Sequence, residues 1–229
     1  MSHQKPEYRI PVHERFHSFQ GEGVYMGRSA FFIRTFGCPV HCPWCDSAGT
    51  WHKDWVPKHV DRPTVETLAQ EAADAKPDFV VITGGEPTIQ PNLPILVEHL
   101  QDQGLRVHLE TCGAFPFDTD IFNWITVSPK REAPPFNWAL LSASEVKIIV
   151  DSEDAIEYWV NTLDVEFEVP VWLHPEWSRR EDQKILSKIT QWVKSQGAPY
   201  RAGWQLHKLY RADFFDGRTR EEVPLGGKV

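Results

Sequence analysis

The stretch AFFIRTFGCPVHCPWCDS, residues 30–47, joins a short apolar run to three closely spaced cysteines. Residues 30–34 are mainly apolar, and a short run of this kind predicts a buried strand. Cys38, Cys42 and Cys45 follow in a C-x3-C-x2-C pattern. Because the strand ends just before them, we expect the three thiols to lie on one irregular loop.

Outside this stretch, strand and helix patterns alternate along the chain. Further apolar runs predict buried strands at residues 79–83, 107–110, 125–127, 146–150 and 171–173. Apolar residues at helical spacing predict amphipathic helices that begin near Val65, Leu93 and Ile185. Residues that suit helix ends are Thr64, Asn92, Gly104 and Gly197. The alternation predicts an α/β fold with a mainly parallel sheet, arranged as a partial, open β/α barrel.

Two connections lack a clear period. Residues 45–62 are expected to form a long functional loop rather than core, and residues 130–137 an irregular link between elements. No internal repeat or low-complexity linker is visible in the sequence. We therefore expect one domain over residues 1–229.

Composition and charge exclude several classes of function. The chain has 229 residues, with 24 Lys and Arg against 32 Asp and Glu, for a net charge of −8. This charge gives no overall positive field for a phosphate backbone, so we expect no nucleic-acid partner. The apolar runs are shorter than the ~20 residues of a membrane-spanning helix, and MSHQKPEYRI at the start has no apolar signal region. We expect a cytoplasmic protein without a membrane partner.

In a reducing cytoplasm the four cysteines are expected to be thiols, which makes metal ligation the first question for the clustered three. Three thiolates on one loop can wrap a cubane iron-sulfur cluster and leave a fourth iron open to chelate an amino acid. A structural zinc site, closed by His41 or Cys112, is the alternative. Zinc is less favoured because no second, well-spaced pair of ligands follows.

The C-x3-C-x2-C pattern after the first strand of the alternation resembles the signature of the radical S-adenosylmethionine (SAM) superfamily. This resemblance implies a 4Fe-4S cluster held by Cys38, Cys42 and Cys45, with SAM chelated at the open iron. In that superfamily an electron from the cluster cleaves SAM, and the resulting 5′-deoxyadenosyl radical abstracts hydrogen from the substrate.

Other motifs resemble the SAM-binding elements of the superfamily. The sequence Gly84-Gly85-Glu86-Pro87 ends a predicted strand, and bare backbone there can admit a ligand closely. The resemblance implies that cofactor-binding residues include Gly84, Gly85, Glu86, Ser128, Lys130 and His174. His174 departs from the Gln that some relatives carry, and Cys112 stands where Asn is familiar.

Upstream, the sequence Gln20-Gly21-Glu22-Gly23 would by itself suggest only a flexible turn. Together with the cysteines and the following Asp-Ser it resembles the 7-carboxy-7-deazaguanine synthase family, and the likeness continues through Glu110-Thr111-Cys112-Gly113, Glu145-Val146-Lys147 and Gln205-Leu206-His207-Lys208. The resemblance implies a carbon-nitrogen lyase in queuosine and deazapurine biosynthesis. It would convert 6-carboxy-5,6,7,8-tetrahydropterin to 7-carboxy-7-deazaguanine with loss of ammonia, using a Mg2+ ion bound by Ser47.

A carboxylated pterin presents a flat edge of hydrogen-bonding groups and an anionic group. The edge could be bound by Glu22 and Glu110 with help from Gln20, while Arg34 could clamp the carboxylate. His207 and Lys208 could close the pocket. For Lys208, and for the Lys147 of the E-V-K motif, an exposed salt bridge is an equal alternative.

The same resemblance implies partners and subdivisions of the domain. We expect a substrate-binding segment near residues 14–28, a C-terminal tail near residues 209–229, a homodimer, and an electron donor such as flavodoxin or ferredoxin. Two other functions stay open at this point. One is a radical SAM activase acting on a partner protein, and the other is a zinc-stabilised interaction module.

Overall fold

The computed structural model describes residues 6–220, so residues 221–229 of the expected tail lie outside the described part of the chain. Eight strands form one sheet in chain order. They are β1 (Val12–Phe19), β2 (Ser29–Thr35), β3 (Phe79–Gly84), β4 (Val107–Thr111), β5 (Trp124–Val127), β6 (Glu145–Val150), β7 (Val171–Pro175) and β8 (Tyr200–Ala202). The helices are α1 (Val65–Ala75), α2 (Leu93–Asp102), α3 (Asn137–Leu141), α4 (Ala155–Thr162), α5 (Gln183–Gln196) and α6 (Leu206–Tyr210).

The sheet is open, and β1 and β8 are its two edges. β1 runs antiparallel to β2, whereas every later pair from β2 to β8 is parallel. Parallel strands bring their carboxyl ends to the same rim. This arrangement confirms the predicted open α/β barrel and places the cysteine loop, which follows β2, on that rim.

Side chains alternate between the two faces of each strand, as the pleat requires. Phe31 and Ile33 of β2 are buried among apolar residues of α1 and α2, including Leu68 and Leu96. A second apolar cluster packs β6 and β7 against α4 and α5, with Trp159 and Ile185 buried between them. The helix-facing side of the sheet is therefore the apolar core, and the opposite face is left for polar residues.

All six predicted strands and all three predicted helices are present, with ends shifted by a few residues. At the start of α1 the Thr64 hydroxyl accepts a hydrogen bond from the Thr67 N–H, as a cap should. Asn92 precedes α2 but makes no capping hydrogen bond, since its side-chain amide donates to the Arg9 carbonyl instead. Gly197 follows the last residue of α5 with a positive φ of 66°.

The expectation that residues 45–62 lie outside the core is wrong for residues 48–50, near the start of this segment. The 3-10 turn Ala48–Thr50 is fully buried. The Gly37 N–H donates to the Thr50 carbonyl, and a Cβ on Gly49 would lie 2.8 Å from the His13 ring. The turn therefore anchors the cysteine loop against β1. Within residues 6–220 there is no helix of the length and apolarity that crossing a membrane requires.

Candidate active site

One cavity opens at the carboxyl ends of the parallel strands, on the polar face of the sheet. It brings together most of the residues predicted to carry the chemistry. These are Gln20, Glu22, Arg34, Cys38, Cys42, Cys45, Ser47, Gly84, Gly85, Glu86, Glu110, Ser128, Lys130 and His207. His174 and Lys208 are not among the residues that line it.

The three clustered cysteines contact this cavity together, as free thiols. Burial raises the pKa of Cys42 to about 12 and also raises the pKa values of Cys38 and Cys45. The indole N–H of Trp51 points to the Cys45 sulfur at 3.4 Å. Burial therefore keeps the three thiols protonated until a group that binds thiolate displaces their protons.

The zinc alternative has less support in this geometry. Zinc needs four ligands around a single ion. In the part of the chain that the structure describes, no group of three His, Cys, Asp or Glu side chains is close enough to hold one ion. His41 stacks on the Trp51 ring with centroids 4.1 Å apart, and Cys112 is buried beside the cluster of cysteines. Both act here as packing neighbours.

Gly84 and Gly85 lack side chains because the backbone at the end of β2 and the start of the cysteine loop comes too close to admit a Cβ atom. A Cβ on Gly84 would lie 2.3 Å from the Thr35 nitrogen, and a Cβ on Gly85 would lie 2.1 Å from the Gly37 oxygen. Gly84 also has a φ of +141°, which L side chains rarely adopt. The bare backbone expected to admit a ligand therefore admits a neighbouring backbone, while both glycines still line the cavity.

The Glu86 carboxylate is buried and has four hydrogen-bond donors. Its Oε1 accepts from the Thr88 N–H, the Thr88 hydroxyl and the Thr111 hydroxyl, and its Oε2 accepts from the Cys112 N–H at 2.9 Å. These contacts tie β3 to β4. The side chain is committed to the protein, so a ligand at this position would meet the backbone of the Gly-Gly-Glu turn.

Ser128 and Lys130 form a compact pair at the end of β5. The Lys130 ammonium donates to the Ser128 carbonyl at 2.7 Å and to its hydroxyl at 2.6 Å. It also lies 5.6 Å from the centre of the Trp44 ring. The pair places a positive charge on the cavity wall next to the cysteines.

The opposite wall is built around a buried lysine. Lys147, on β6, is paired with Glu22, and its Nζ lies 3.4 Å from Glu110 Oε2. Burial alone would raise the pKa of Glu22, but the Lys147 ammonium outweighs it and holds that pKa well below its ordinary value. Burial would lower the pKa of Lys147, yet Glu110 and Glu22 raise it. Glu22 and Lys147 are therefore both charged at neutral pH.

Two amides complete the hydrogen bonds of this wall. Gln20 donates from Nε2 to Glu110 Oε1 at 3.0 Å, while its own oxygen accepts from the Glu22 N–H at 3.2 Å. Gln205 donates to Glu22 Oε1 at 2.7 Å. Together they connect the Gln20-Gly21-Glu22-Gly23 turn to β4 and to the start of α6.

Glu145 lies beside the same turn and stabilises it through hydrogen bonds. This buried carboxylate accepts from the Val24 N–H, the Thr126 hydroxyl and the indole N–H groups of Trp124 and Trp172. A Cβ on Gly23, which has a φ of +69°, would lie 2.3 Å from Glu145 Oε1. A saturated carboxylate therefore fixes the turn that carries Glu22.

Arg34 and Ser47 join the two walls. The Arg34 Nε donates to Glu14 Oε1 at 2.7 Å, and its Nη1 donates to the Ser47 hydroxyl at 3.1 Å. Ser47 in turn donates to Asp46 Oδ1. Burial would raise the pKa of Asp46, but the Lys208 ammonium, 2.9 Å away, holds it well below its ordinary value. Asp46 thus links the cysteine loop to α6.

The exposed-salt-bridge interpretation is wrong for both lysines, since the side chains of Lys147 and Lys208 are 12% and 5% exposed. His207 lines the cavity and packs on Gly21. His174 is fully buried, and its ring nitrogens have no hydrogen-bond partner among the described residues. Burial lowers its pKa to about 4, with Glu22 opposing the change.

Among the site residues that were not predicted are Lys147, Gln205 and Glu145. All three lie in motifs quoted from the sequence, and for Lys147 and Glu145, which are on β6, the strand pleat indicates the orientation of the side chain. Lys147 lies between Val146 and Ile148, which are buried in the core, so the alternation places its side chain on the cavity face. That signal was available in the sequence.

The chain is similar to known radical SAM enzymes in both sequence and structure. The sequence model of the radical SAM superfamily matches residues 32–122. The 7-carboxy-7-deazaguanine synthase of Synechocystis sp. is 42% identical over 199 residues, which cover 86% of this chain and 91% of that relative. The synthase of Prochlorococcus marinus is 35% identical, with 87% of this chain and 96% of the relative covered.

Among solved structures, the crystal structure of QueE from Escherichia coli superposes with a TM-score of 0.71 at 29% identity, covering 87% of this chain and 95% of that one. These likenesses do not favour the activase or the zinc-stabilised interaction module. The chain belongs to the 7-carboxy-7-deazaguanine synthase family of radical SAM enzymes.

Proposed function

We propose that this enzyme converts 6-carboxy-5,6,7,8-tetrahydropterin to 7-carboxy-7-deazaguanine with release of ammonia. The observation that carries the proposal is the cavity that the three cysteines line together with Glu22, Glu110 and Lys147. One wall suits a thiolate-bound cofactor, and the other suits a flat substrate with several N–H groups at its edge.

The part of the cavity lined by the three cysteines, Gly84, Gly85, Glu86, Ser128 and Lys130 is called here the cysteine wall. It fits a 4Fe-4S cluster with SAM, which the radical SAM family implies. Cys38, Cys42 and Cys45 would bind the cluster. When bound, the cluster and SAM supply the hydrogen-abstracting radical chemistry. The backbone of Gly84 and Gly85, with the Ser128 and Lys130 pair, would orient SAM, since the carboxylate of Glu86 is engaged by four protein donors. His174 is buried and does not line the cavity, and this favours support of the wall over direct cofactor contact.

The opposite wall would bind the pterin edge. Glu22 and Glu110 are acceptors, and a carboxylate can receive paired N–H bonds from an amidine edge. Gln20 and Gln205 hold these carboxylates in place. His207 would cover the pocket from α6, while Lys208, through Asp46, would hold α6 in position. Because the pKa of Glu22 is lowered, its carboxylate is already ionised at neutral pH and can accept these bonds.

Arg34 and Ser47 would receive the substrate carboxylate and a Mg2+ ion. The Ser47 hydroxyl is one weak oxygen ligand, which suits an ion that usually keeps several waters. The Arg34 guanidinium, 3.1 Å from the same hydroxyl, opposes a bare cation. An anionic substrate would balance both charges, so the ion and the carboxylate are expected to bind together.

We further propose the setting in which this chemistry takes place. The enzyme would be a cytoplasmic homodimer that receives electrons from a flavodoxin or ferredoxin. Residues 1–229 would form one radical SAM domain, with residues 14–28 contributing to the substrate site and residues 209–229 forming a tail. The single sheet over residues 6–220 supports this division.

The test is turnover by anaerobically reconstituted protein. Incubation with SAM, Mg2+, a reductant and 6-carboxy-5,6,7,8-tetrahydropterin should give 7-carboxy-7-deazaguanine and an equal amount of ammonia, measured by mass spectrometry and an ammonia assay. Protein that contains the cluster and cleaves SAM, but leaves the carboxylated pterin unchanged, would overturn the proposed substrate.

A further inference from the structure

Glu14 and the segment of residues 215–220, which we call the C-terminal strap, have no individual role in the function proposed above. Both lie beside Arg34, at the edge of the sheet that β1 forms. Their contacts indicate what they do for the carboxylate end of the site.

A bulge in β1 brings Glu14 opposite Arg34. The register between β1 and β2 shifts between Val12 and Glu14, after which Glu14 is the direct cross-strand partner of Arg34. A bulge of this kind re-aims the side chains that follow it. Phe16, two residues further, stacks on Phe32 and lines the cavity, so Glu14 shares the cavity face of the strand.

The Glu14 carboxylate is nearly buried and has a donor on each oxygen. Its side chain is 9% exposed, and its Oε1 accepts from the Arg34 Nε at 2.7 Å. Because Glu14 engages the Nε edge of the guanidinium, the Nη1 group is turned toward Ser47 and the cavity. A planar guanidinium held at one edge has a defined orientation at the other.

The second oxygen of Glu14 is held by the strap. The main-chain N–H of Arg220 donates to Glu14 Oε2 at 2.7 Å, and its Nε donates to the His13 carbonyl at 2.6 Å. Asp216 Oδ2 accepts from the His17 N–H at 3.0 Å, on the same edge strand. The strap therefore satisfies polar groups along the outer edge of β1, where the described residues add no further strand to the sheet.

We propose that Glu14 is a positioning residue for Arg34 and that the strap holds Glu14 in place, so that the strap contributes to affinity for the carboxylate of the substrate. This inference rests on the proposed function, in which Arg34 receives that carboxylate. Glu14 itself does not touch the substrate.

The test measures binding by calorimetry in anaerobic, cluster-containing protein with SAM. Two ligands are compared, 6-carboxytetrahydropterin and the tetrahydropterin that lacks the carboxylate. Glu14→Gln keeps the shape but removes the charge, and Glu14→Ala removes the partner. We expect Glu14→Ala to weaken binding of the carboxylated ligand at least about tenfold, the scale of one charge-assisted hydrogen bond. Glu14→Gln should lose less, and both variants should bind the uncarboxylated ligand within about twofold of the wild type.

A matched control is Asp61→Asn. Asp61 pairs with Arg15, which is also on β1 but does not line the cavity. This substitution removes a similar ion pair and should change neither affinity. Equal weakening of both ligands by Glu14→Ala, or no weakening of either, would overturn the positioning role.

The strap is tested separately with Arg220→Pro and Arg220→Ala. Only proline removes the main-chain N–H that reaches Glu14. Arg220→Pro should weaken binding of the carboxylated ligand several-fold, and Arg220→Ala should weaken it less. If Arg220→Pro binds like the wild type, the strap has no such role. A wild-type protein that does not bind the carboxylated pterin at all would overturn the proposed function instead.

Discussion

The two walls of the cavity are stabilised in opposite ways. The cysteine wall consists of thiols, bare glycine backbone, the Ser128 and Lys130 pair and the carboxylate of Glu86, whose four donors are all uncharged. The opposite wall, which we call the pterin wall, is held together by ion pairs, with Lys147 between Glu22 and Glu110. A cofactor that brings its own metal and charge needs a shaped receptacle, whereas a polar substrate needs ionised acceptors that are already in place.

The two walls also differ in how they affect the stability of the folded protein. Neutral thiols pack as small hydrophobic groups. The pterin wall depends on every partner, because removal of one charge leaves a buried charge without its close partner. Substitutions on the two walls should therefore fail in different ways.

The largest effect is expected for the cysteine wall. Cys42→Ala removes one of three proposed cluster ligands, and we expect loss of bound iron and loss of all SAM cleavage. Iron and sulfide analysis and a 5′-deoxyadenosine assay measure these. Cys112→Ala is the matched control, because Cys112 lines the same cavity but is bonded to Glu86 through its main chain. Full iron content in Cys42→Ala would contradict the assignment.

On the pterin wall, Glu22→Gln should separate substrate turnover from cofactor chemistry. An amide cannot accept paired N–H bonds as a carboxylate does, and it leaves Lys147 with the more distant Glu110 carboxylate as its partner. We expect pterin turnover to fall about 100-fold while SAM cleavage without product formation stays detectable. Product and 5′-deoxyadenosine are measured in the same reaction. If both fall together, the two walls are not independent.

Lys147→Met should make substrate binding depend on pH. In the wild type the pKa of Glu22 lies well below 4.5, so its charge and the stability it contributes are present above about pH 4.5 and are lost only as pH falls through the lowered value. Without Lys147, burial raises that pKa instead. Binding of the pterin by the variant should weaken about tenfold between pH 8 and pH 5. Calorimetry on both proteins is the check, and a flat profile for the variant would count against the charge balance.

The smallest effect is expected where the walls meet. Ser47→Ala removes one weak oxygen ligand, so the Mg2+ concentration for half-maximal activity should rise about fivefold to tenfold. SAM affinity should change by less than about twofold, because the hydroxyl of Ser47, among the described contacts, makes its hydrogen bonds to Arg34 and Asp46. A magnesium titration and a SAM-binding isotherm distinguish these. Equal losses would argue that Ser47 merely supports the cysteine loop.

The sheet was predictable because its central strands are buried, apolar runs with clear ends. β1 was not predicted, since neither of its faces is uniformly apolar. Glu14 and Phe16 lie on the cavity face, while Arg15 on the other face forms ion pairs with Asp61 and Glu71. The helices α3 and α6 have five residues each, too few for a helical period to be visible.

The residues of the cysteine wall could also be proposed from the sequence, because its motifs are short and contiguous. The reason for Gly85 could not, since it depends on the Gly37 carbonyl, which approaches from the loop that follows β2. The partners of Glu22 come from β6 and from Gln205, which is 183 positions away in the sequence. Local patterns do not encode such pairings, and only the folded sheet brings the groups together.

The bond between Gln205 and Glu22, with that between the Leu206 N–H and the Gly21 carbonyl, has a consequence for biosynthesis. Every residue of the cysteine wall precedes position 131, but the opposite wall requires β6 and the start of α6. A ribosome must therefore synthesise the chain as far as Gln205 before this wall can form. The residues of the proposed cluster site are made first, and those of the proposed substrate site are completed last.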